Sequence, residues 1–377
     1  MADTEDGARI ERTENYADEV QRQFSSTVNK LLKLFKSCPE LEQGQMFSWD
    51  AMPKKIRQQA EELLKELNAD VQLAIKKDIE VEWNRAAEAT EKFIKTSMSK
   101  ETAANLLAMS AIAEQNAKAM NQFIKRSDSG MNLSDRVWKA CQQLRDEMEV
   151  AITVGIGEGE SAASMSRRVR KYLNDPDLMF RRFRYKDEDG EWQTKWKKKV
   201  IVDGKTKWID YDKDSYKTGR GVYKSSARNA MRVARTETNM AYRNSNIERW
   251  RSEDFVIGYR VALSKSHPAK PENEICEKLA GDYPKDFTFE GWHPQCFCTI
   301  VPIFAPEDEM AAWSKAQMNG EEYEFKTKPI TDYPSNFKDW VKQNEGRITA
   351  ARKKGTEPYF LKHNKDVIDG FMNLGSK

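Results

Sequence analysis

Side chains that can bind a metal ion are scarce in this chain and concentrated in one segment. Only three histidines and five cysteines occur among 377 residues, yet two of those histidines and three of those cysteines lie between His267 and Cys298. Histidine nitrogen and cysteine sulfur are ligands that zinc prefers, and a structural zinc site takes four of them. We therefore predict a structural zinc site. Its ligands are His267, Cys276, Cys296 and Cys298, with His293 as the alternate to His267.

Two of these cysteines are separated by a single residue, which is a spacing that suits a strand. If the segment from Cys296 to Ile303 is extended, Cys296 and Cys298 project from the same side, because successive side chains of a strand alternate. The two thiols could then share one ion. The alternative is a reduced, buried cluster of small thiols, since this spacing is less specific than two paired C-x2-C knuckles.

A second polar motif, Arg235-Thr236-Glu237, lies within a long helical pattern. Residues 223–251 contain no Pro or Gly and are rich in helix formers, so they predict one helix. Small side chains form a narrow stripe along it, and Arg235 and Glu237 fall beside that stripe, where each is half-buried. A half-buried charge is costly unless it is paired. We assign Arg235, Glu237 and Asn239 to a structural polar motif; general acid–base catalysis by Glu237 is the alternative.

Positive charge is concentrated in the middle of the chain. Residues 217–251 carry nine Lys or Arg against two acids, although the formal net charge of the whole chain is only +3. Such a stretch could meet nucleic acid or an acidic protein surface, or could simply be a solvated helix face. The residues that we place nearest to DNA are Arg220, Lys224, Arg228 and Arg232.

The overall composition favours extended helical structure. Charged residues make up 33% of the chain and the apolar set 39%, which suits helices with much solvent contact. No apolar run approaches the roughly 18 residues of a membrane span, and the first ten residues are polar, unlike a signal peptide. We therefore expect a cytoplasmic protein without membrane contact. An odd number of cysteines in a reducing compartment argues against a disulfide framework.

The periodicity of apolar residues defines the predicted fold and its divisions. Apolar residues recur every three or four positions in residues 1–130, which predicts a docking domain of long amphipathic helices. Strand formers in residues 180–212 flank Asp203-Gly204, a two-residue turn signal, and predict an inserted β-hairpin. The predicted fold is mainly α with a small α+β core in residues 131–305, which also contains the Cys/His β segment, followed by a helical tail in residues 306–377.

The same patterns predict where individual elements begin and end. Asp50 is the expected N-cap of the second helix, and one helix is expected from Thr102 to about Lys125. Glycines in residues 155–159 predict a helix C-cap and turn, followed by a short basic helix that Ser161 caps. In the tail, one basic helix is expected near residues 336–354. His363 is expected at the surface, where it is not a ligand.

These motifs together resemble a known protein family. The Arg235-Thr236-Glu237 helix, followed by Cys276-x-x-Leu279-x-Gly281 and His293-Pro294-x-Cys296-x-Cys298, is similar to the C-terminal domain of tailed-phage minor head proteins, the phage Mu F-like head morphogenesis family. The resemblance covers roughly residues 133–305. Two positions differ from the fuller motif of the family, because Asn273 stands in place of a cysteine and Phe297 in place of an arginine.

The resemblance implies a structural minor head protein without enzymatic activity. Its implied partners are the portal protein and the scaffold or major capsid protein, in the host cytoplasm during procapsid assembly. It then implies a place in the virion head with the packaged DNA. Two other classes stay open: a metal-dependent nuclease using His267 and His293 with Glu237, and a DNA-binding module based on the basic helix. Cysteines suit a closed structural site better than a hydrolytic one, which argues against the nuclease.

Overall fold

The computed structural model describes residues 2–35, 49–50, 52–109, 112–127, 130–157, 180–186, 192–202, 205–210, 225–264 and 275–373. The backbone alone is described at 2–4, 109, 112–115, 150–157, 180–186, 192–202, 205–210 and 373. Over these residues the protein forms twelve helices and two three-stranded antiparallel sheets. The predicted fold class is confirmed, because the protein is mainly α with a small α+β core. No helix in this part of the chain is both long and apolar enough to cross a membrane.

Four helices form the N-terminal part of the chain, and the segment predicted as one helix from Thr102 to about Lys125 contains two of them. They are α1 (Ala2–Phe35), α2 (Lys54–Ser97), α3 (Lys100–Met109) and α4 (Ile112–Lys125). The predicted N-cap at Asp50 is wrong. The carbonyl of Pro53 accepts the first backbone hydrogen bonds of α2, from Ile56 and Arg57. Proline suits this position because its fixed φ angle and missing N–H cost nothing at a helix start.

The next two helices are α5 (Leu133–Gly157) and α6 (Ser226–Ser252). The helix end predicted in residues 155–159 agrees with α5, which extends to Gly157, and the turn predicted after it lies outside the described residues. A glycine costs a helix only about 1 kcal/mol and keeps its backbone hydrogen bonds, so it does not by itself end one. The short helix predicted after Ser161 lies outside the described residues. Glu147 on α5 accepts hydrogen bonds from the N–H (2.7 Å) and the hydroxyl (2.6 Å) of Ser226, and so caps the start of α6.

The first sheet contains the predicted hairpin and one further strand. Its strands are β1 (Phe180–Lys186), β2 (Trp192–Val202) and β3 (Lys205–Asp210), in the order β1-β2-β3. Val202 pairs with Lys205, so β2 and β3 form a hairpin with two residues between them, as predicted. The sequence did not mark β1 as a separate strand, because four of its seven residues are Lys or Arg and have no strong strand preference.

The second sheet lies in the C-terminal half and has the order β5-β4-β6. Its strands are β4 (Val256–Ala262), β5 (Gly281–Tyr283) and β6 (Thr299–Phe304), and the short helix α7 (Ile275–Lys278) precedes β5. The run of strand formers from Val256 to Leu263 predicts a strand, and β4 confirms it. The strand predicted to begin at Cys296 begins at Thr299 instead, so both Cys296 and Cys298 lie in the loop before it. Strand alternation is therefore not what brings their thiols together.

The tail consists of short helices that contribute to the core. They are α8 (Glu307–Met318), α9 (Ser335–Gln343), α10 (Glu345–Lys353), α11 (Tyr359–Lys362) and α12 (Lys365–Asn373). The single basic helix predicted near residues 336–354 is two helices that meet at Asn344. His363 lies at the surface as predicted, with 36% of its side chain exposed, and its Nδ1 is 2.9 Å from a carboxylate oxygen of the buried Glu290.

Two compact units divide the chain, and each is assembled from segments that are distant in sequence. One unit comprises residues 1–15, 75–130 and 235–377, and the other comprises residues 16–74 and 131–234. The core of the first unit is dominated by aromatic rings: Tyr283 and Phe287 stack with their centroids 4.5 Å apart, and Phe337 packs edge-on against both. The predicted domain boundaries near residues 130 and 305 stay a prediction.

Candidate metal centre

Three of the predicted metal-capable side chains lie together beside the second sheet. Cys276, His293 and Cys296 each offer a ligand atom, and these atoms all lie within 4.8 Å of one another. The Sγ of Cys276 is 3.1 Å from Nε2 of His293 and 3.9 Å from Sγ of Cys296. The thiol of Cys298 lies beside those of Cys276 and Cys296, whose proximity raises its pKa. We call these four residues the Cys/His cluster; its three cysteines are at most 1% exposed.

A tight turn presents two members of the Cys/His cluster. The N–H of Cys296 donates to the carbonyl of His293 over 3.1 Å, with Pro294 and Gln295 at the centre of the turn. Gln295 has a φ of 60°, and proline followed by a residue with positive φ is the pattern of a type II turn. The strained conformation of Gln295 is held by its N–H, which donates to the Thr236 hydroxyl over 3.2 Å.

Gly291 allows the loop to fold closely onto α6. Its φ of 127° lies where side chains are rarely tolerated, and a Cβ there would be 3.0 Å from Cβ of Cys296 and 3.2 Å from Nη1 of Arg243. Only glycine fits both constraints. The local sequence therefore sets the path of the loop before any metal ion is considered.

The imidazole of His293 is oriented for binding through Nε2. Its Nδ1 lies 2.8 Å from the carbonyl of Pro294. Because a carbonyl can only accept, Nδ1 carries the hydrogen, and Nε2 is the ring nitrogen that faces the thiol of Cys276 and could bind a metal ion. Metal-binding histidines commonly fix their orientation through such a bond from the other ring nitrogen.

The spacing of the donor atoms fits a tetrahedral zinc ion. Zinc–sulfur bonds of about 2.3 Å at tetrahedral angles place two sulfurs about 3.8 Å apart. The two sulfurs of Cys276 and Cys296 are separated by 3.9 Å. The sulfur–nitrogen distance of 3.1 Å from Cys276 to His293 is shorter than the corresponding edge of about 3.6 Å, so the ring would move outward by about half an ångström. Three thiols and one imidazole complete the four-ligand set of a structural site.

The charge state of the thiols is tuned by their surroundings. Burial alone would raise the pKa of Cys296, but hydrogen bonds from Cys276 and Cys298, with the charge of Arg243, hold that pKa well below its ordinary value. The same hydrogen bonds and burial raise the pKa of Cys298. One thiolate is thus already favoured within the cluster, and this is the form in which cysteine binds metal.

Arg243 on α6 holds the loop of the Cys/His cluster through several hydrogen bonds. The sequence does not reveal this role. Arg243 is 1% exposed, and its guanidinium donates to the carbonyls of Glu290 (2.9 Å), Cys298 (3.1 and 2.9 Å) and Cys296. Every residue has a carbonyl, so no residue type or spacing in the sequence identifies these partners. A bound zinc ion with three thiolates carries a net negative charge, which Arg243 would balance.

The predicted structural polar motif has a fixed partner at each position. Arg235 forms a bidentate ion pair with Glu14 at 3.0 and 2.6 Å, and its Nη1 lies 3.4 Å from the Gln295 side chain of the turn. Asn239 accepts from Arg9 and donates to the carbonyl of Arg235 over 2.8 Å. The motif therefore supports the loop of the Cys/His cluster from the adjacent helix.

Glu237 is more deeply buried than its helical position predicts. It is 1% exposed and accepts a hydrogen bond from Arg126 over 2.8 Å. The prediction of half-burial is wrong, because α6 is enclosed on more sides than its small-residue stripe indicates. Thr238, Asn246 and other polar residues of α6 are buried as well.

The remaining predicted site residues divide between described and undescribed parts of the chain. His267, Arg220 and Lys224 lie outside the described residues, so their roles stay predictions. Arg228 is exposed on α6, whereas Arg232 is half-buried. Among the described residues, His293 therefore occupies the histidine position of the Cys/His cluster.

Comparison with known proteins adds no relative to this description. No family model matches the chain, and no curated protein or solved structure is significantly similar to it.

Replacing Glu237 with alanine is expected to lower the free energy of unfolding by roughly 3–5 kcal/mol, because it leaves Arg126 without its buried partner. Urea unfolding measures the change. Glu248→Ala is the matched control, since Glu248 lies on the same helix, is 46% exposed and pairs with the partly exposed Arg251. An unchanged unfolding curve combined with lost biological activity would instead favour a catalytic role for Glu237.

Proposed function

We propose that this protein is a structural minor head protein of a tailed phage, with a zinc ion that stabilises its C-terminal core. The observation that carries the proposal is the closed form of the Cys/His cluster. Cys276, His293 and Cys296 place their donor atoms within 4.8 Å of one another, and the neighbouring thiol of Cys298 would complete four donors from the protein itself. Structural zinc sites are closed in this way, whereas catalytic sites keep a position for water or substrate.

Zinc binding would have a defined mechanical role in this fold. Cys276 lies on α7, whereas the other three members lie in the loop before β6. When bound, zinc supplies a cross-link between these two elements, which are otherwise joined through the core. The turn at Pro294 and the contacts of Arg243 preset the loop, so that little ordering remains for the metal ion to achieve.

The surroundings of Glu237 support a structural protein rather than the nuclease alternative. A general base must be able to reach a substrate proton. The Glu237 carboxylate is buried and paired with Arg126, so it has no exposed face for a substrate. The nuclease alternative then lacks an accessible Glu237 carboxylate. The same contacts suit a helix that supports a closed core.

Packaged DNA is a proposed neighbour, and the first sheet suits it better than the basic helix does. The strands β1, β2 and β3 contain ten Lys or Arg and a single acid, Asp210. The strand pairing places Arg182 on the same face as Trp196, and Lys186 on the same face as Trp192. Basic and aromatic residues on one face are typical of surfaces that meet nucleic acid phosphates and bases.

The proposed protein partners are the portal protein and the scaffold or major capsid protein. Long amphipathic helices such as α1 and α2 are suited to docking against other helices. Residues 1–15 and 75–130 belong to the same compact unit as residues 235–377, so removing residues 1–130 would also remove part of that unit. The docking test therefore requires the full-length chain.

Co-expression with the portal, scaffold and major capsid proteins of the same phage tests the proposal. The full-length protein is expected to co-purify with procapsids, and later with virions, in a few copies per particle. A parallel incubation of purified protein with plasmid and Mg²⁺ or Zn²⁺ tests the nuclease. Absence of the protein from both kinds of particle would remove the minor head proposal, and plasmid cleavage lost in Glu237→Gln would replace it with the enzyme.

A further inference from the structure

A cavity of about 350 Å³ lies within the first compact unit, and Cys298 of the Cys/His cluster is one of the residues that line it. Its walls come from the first turns of α1, the end of α2, the middle of α6 and strand β6. Ligand pockets in proteins usually enclose roughly 300–1,000 Å³, so this cavity has the size for a small ligand or a short peptide end.

One side of the cavity is apolar. Phe93 on α2, Trp250 on α6, and Ile300 and Pro302 on β6 form this side. Trp250 and Ile300 also belong to the apolar core, so the surface that they present to the cavity is firmly positioned. Such a wall suits an aromatic or branched aliphatic group.

Most of the charged residues at the cavity already form hydrogen bonds or ion pairs with other residues of the protein. Asp6 accepts from Arg9 over 2.8 Å and from the Ser264 hydroxyl over 2.6 Å. Arg9 also donates to Asn239 and to the carbonyl of Phe297. These groups define the shape of the cavity but are satisfied without a ligand.

Four hydrogen-bond donors at the cavity have no partner among the residues that the structure describes, and one of them is the buried indole N–H of Trp250. Asn246 is 4% exposed and accepts from Thr90 through Oδ1, which leaves its Nδ2 unbonded. The hydroxyl of Tyr242 has no hydrogen bond, and burial raises the pKa of Tyr242, so the hydroxyl keeps its proton. The exposed ammonium of Lys92 forms no ion pair with any described residue.

We propose that this cavity binds a carboxylate carried on a compact apolar group. Two neutral donors, Asn246 and Tyr242, and one cation, Lys92, are free to meet an anionic acceptor, while the apolar wall receives the attached group. A buried amide that lacks a partner is costly, and a carboxylate oxygen would satisfy it. This inference does not rest on the proposed head function.

Two kinds of ligand carry a carboxylate on a compact apolar group. One is a free small acid, and the other is the carboxyl terminus of another chain that ends in an apolar residue. Isothermal titration calorimetry of the full-length protein distinguishes them. The probes are 3-phenylpropionate, an acetylated tripeptide ending in phenylalanine, and the amide of each. Both acids are compared with their amides because the amide keeps the apolar group but loses the charge.

We expect at least one of the two acids to bind about tenfold or more tightly than its amide, and the tighter acid identifies the source. Tyr242→Phe and Lys92→Gln should each weaken that acid several-fold, and Asn246→Asp should abolish its binding by charge repulsion. The matched control is Lys95→Gln, an exposed residue of the same helix that does not line the cavity.

Tyr242→Phe keeps the ring and its packing, so it tests the cavity even if Asn246→Asp fails to fold. The proposal is overturned if neither acid binds, if an amide binds as tightly as its acid, or if Tyr242→Phe and Lys92→Gln both bind as the unsubstituted protein does.

Discussion

Arg243→Met is expected to lower the free energy of unfolding by roughly 3–5 kcal/mol. Methionine fills much of the space of the arginine stem but cannot donate a hydrogen bond. The buried carbonyls of Glu290, Cys296 and Cys298 would then lose the donor that satisfies them. Each buried acceptor left without a partner costs about 1–3 kcal/mol, so the total is large. Urea unfolding monitored by circular dichroism measures it.

Arg228→Met is the matched control for this substitution, because Arg228 is exposed on the same helix. Its effect is expected to stay within about 0.5 kcal/mol. Arg243→Lys should fall between the two, since an ammonium cannot reach three carbonyls in the geometry of a guanidinium. If Arg243→Met unfolds at the same urea concentration as the unsubstituted protein, the arginine does not hold the loop.

Cys296→Ser is expected to release the zinc ion and to destabilise the protein by several kcal/mol. Serine is a poor zinc ligand, and the binding free energy of a structural zinc ion contributes directly to folding stability. The melting temperature with and without chelator measures the loss, which should be large for the unsubstituted protein and small for Cys296→Ser.

Cys141→Ser is the matched control, because Cys141 is buried on α5 and is not a member of the Cys/His cluster. This substitution places a hydroxyl in an apolar site and should cost stability, yet chelator should still lower its melting temperature. Equal responses to chelator in Cys296→Ser and Cys141→Ser would contradict a role for Cys296 in metal binding.

Periodicity and turn residues in the sequence were sufficient to predict much of the fold. Buried apolar residues such as Val20, Phe24 and Leu31 follow the helical spacing from which α1 was predicted. The hairpin of β2 and β3 was predicted because Asp203-Gly204 is a strong local signal. Such features depend on neighbouring residues, so a sequence pattern carries them directly.

The Cys/His cluster was predicted in composition but not in geometry. Cys276, Cys296 and Cys298 do lie together, yet Cys296 and Cys298 belong to a loop rather than a strand. The loop follows the positive φ of Gln295 and the hydrogen bonds of Arg243, and both depend on contacts distant in sequence. Local sequence patterns also could not decide whether His293 or His267 belongs to the cluster.

The burial of α6 shows a further limit of sequence patterns. Its polar residues predict a helix with one buried stripe, but Glu237, Asn239 and Arg243 are all buried. Each is satisfied by a partner from a distant segment, such as Arg126 for Glu237. A polar residue gives the same signal in a sequence whether it faces water or a buried partner.

Metal analysis of the full-length protein, purified without chelator, tests the central claim that the Cys/His cluster is a structural zinc site. We predict about one zinc ion per chain by inductively coupled plasma mass spectrometry, with Cys141→Ser retaining it and Cys276→Ser losing it. Protein that is folded and free of zinc, and whose melting temperature does not respond to added zinc, would contradict the account. The Cys/His cluster would then be a buried group of reduced thiols.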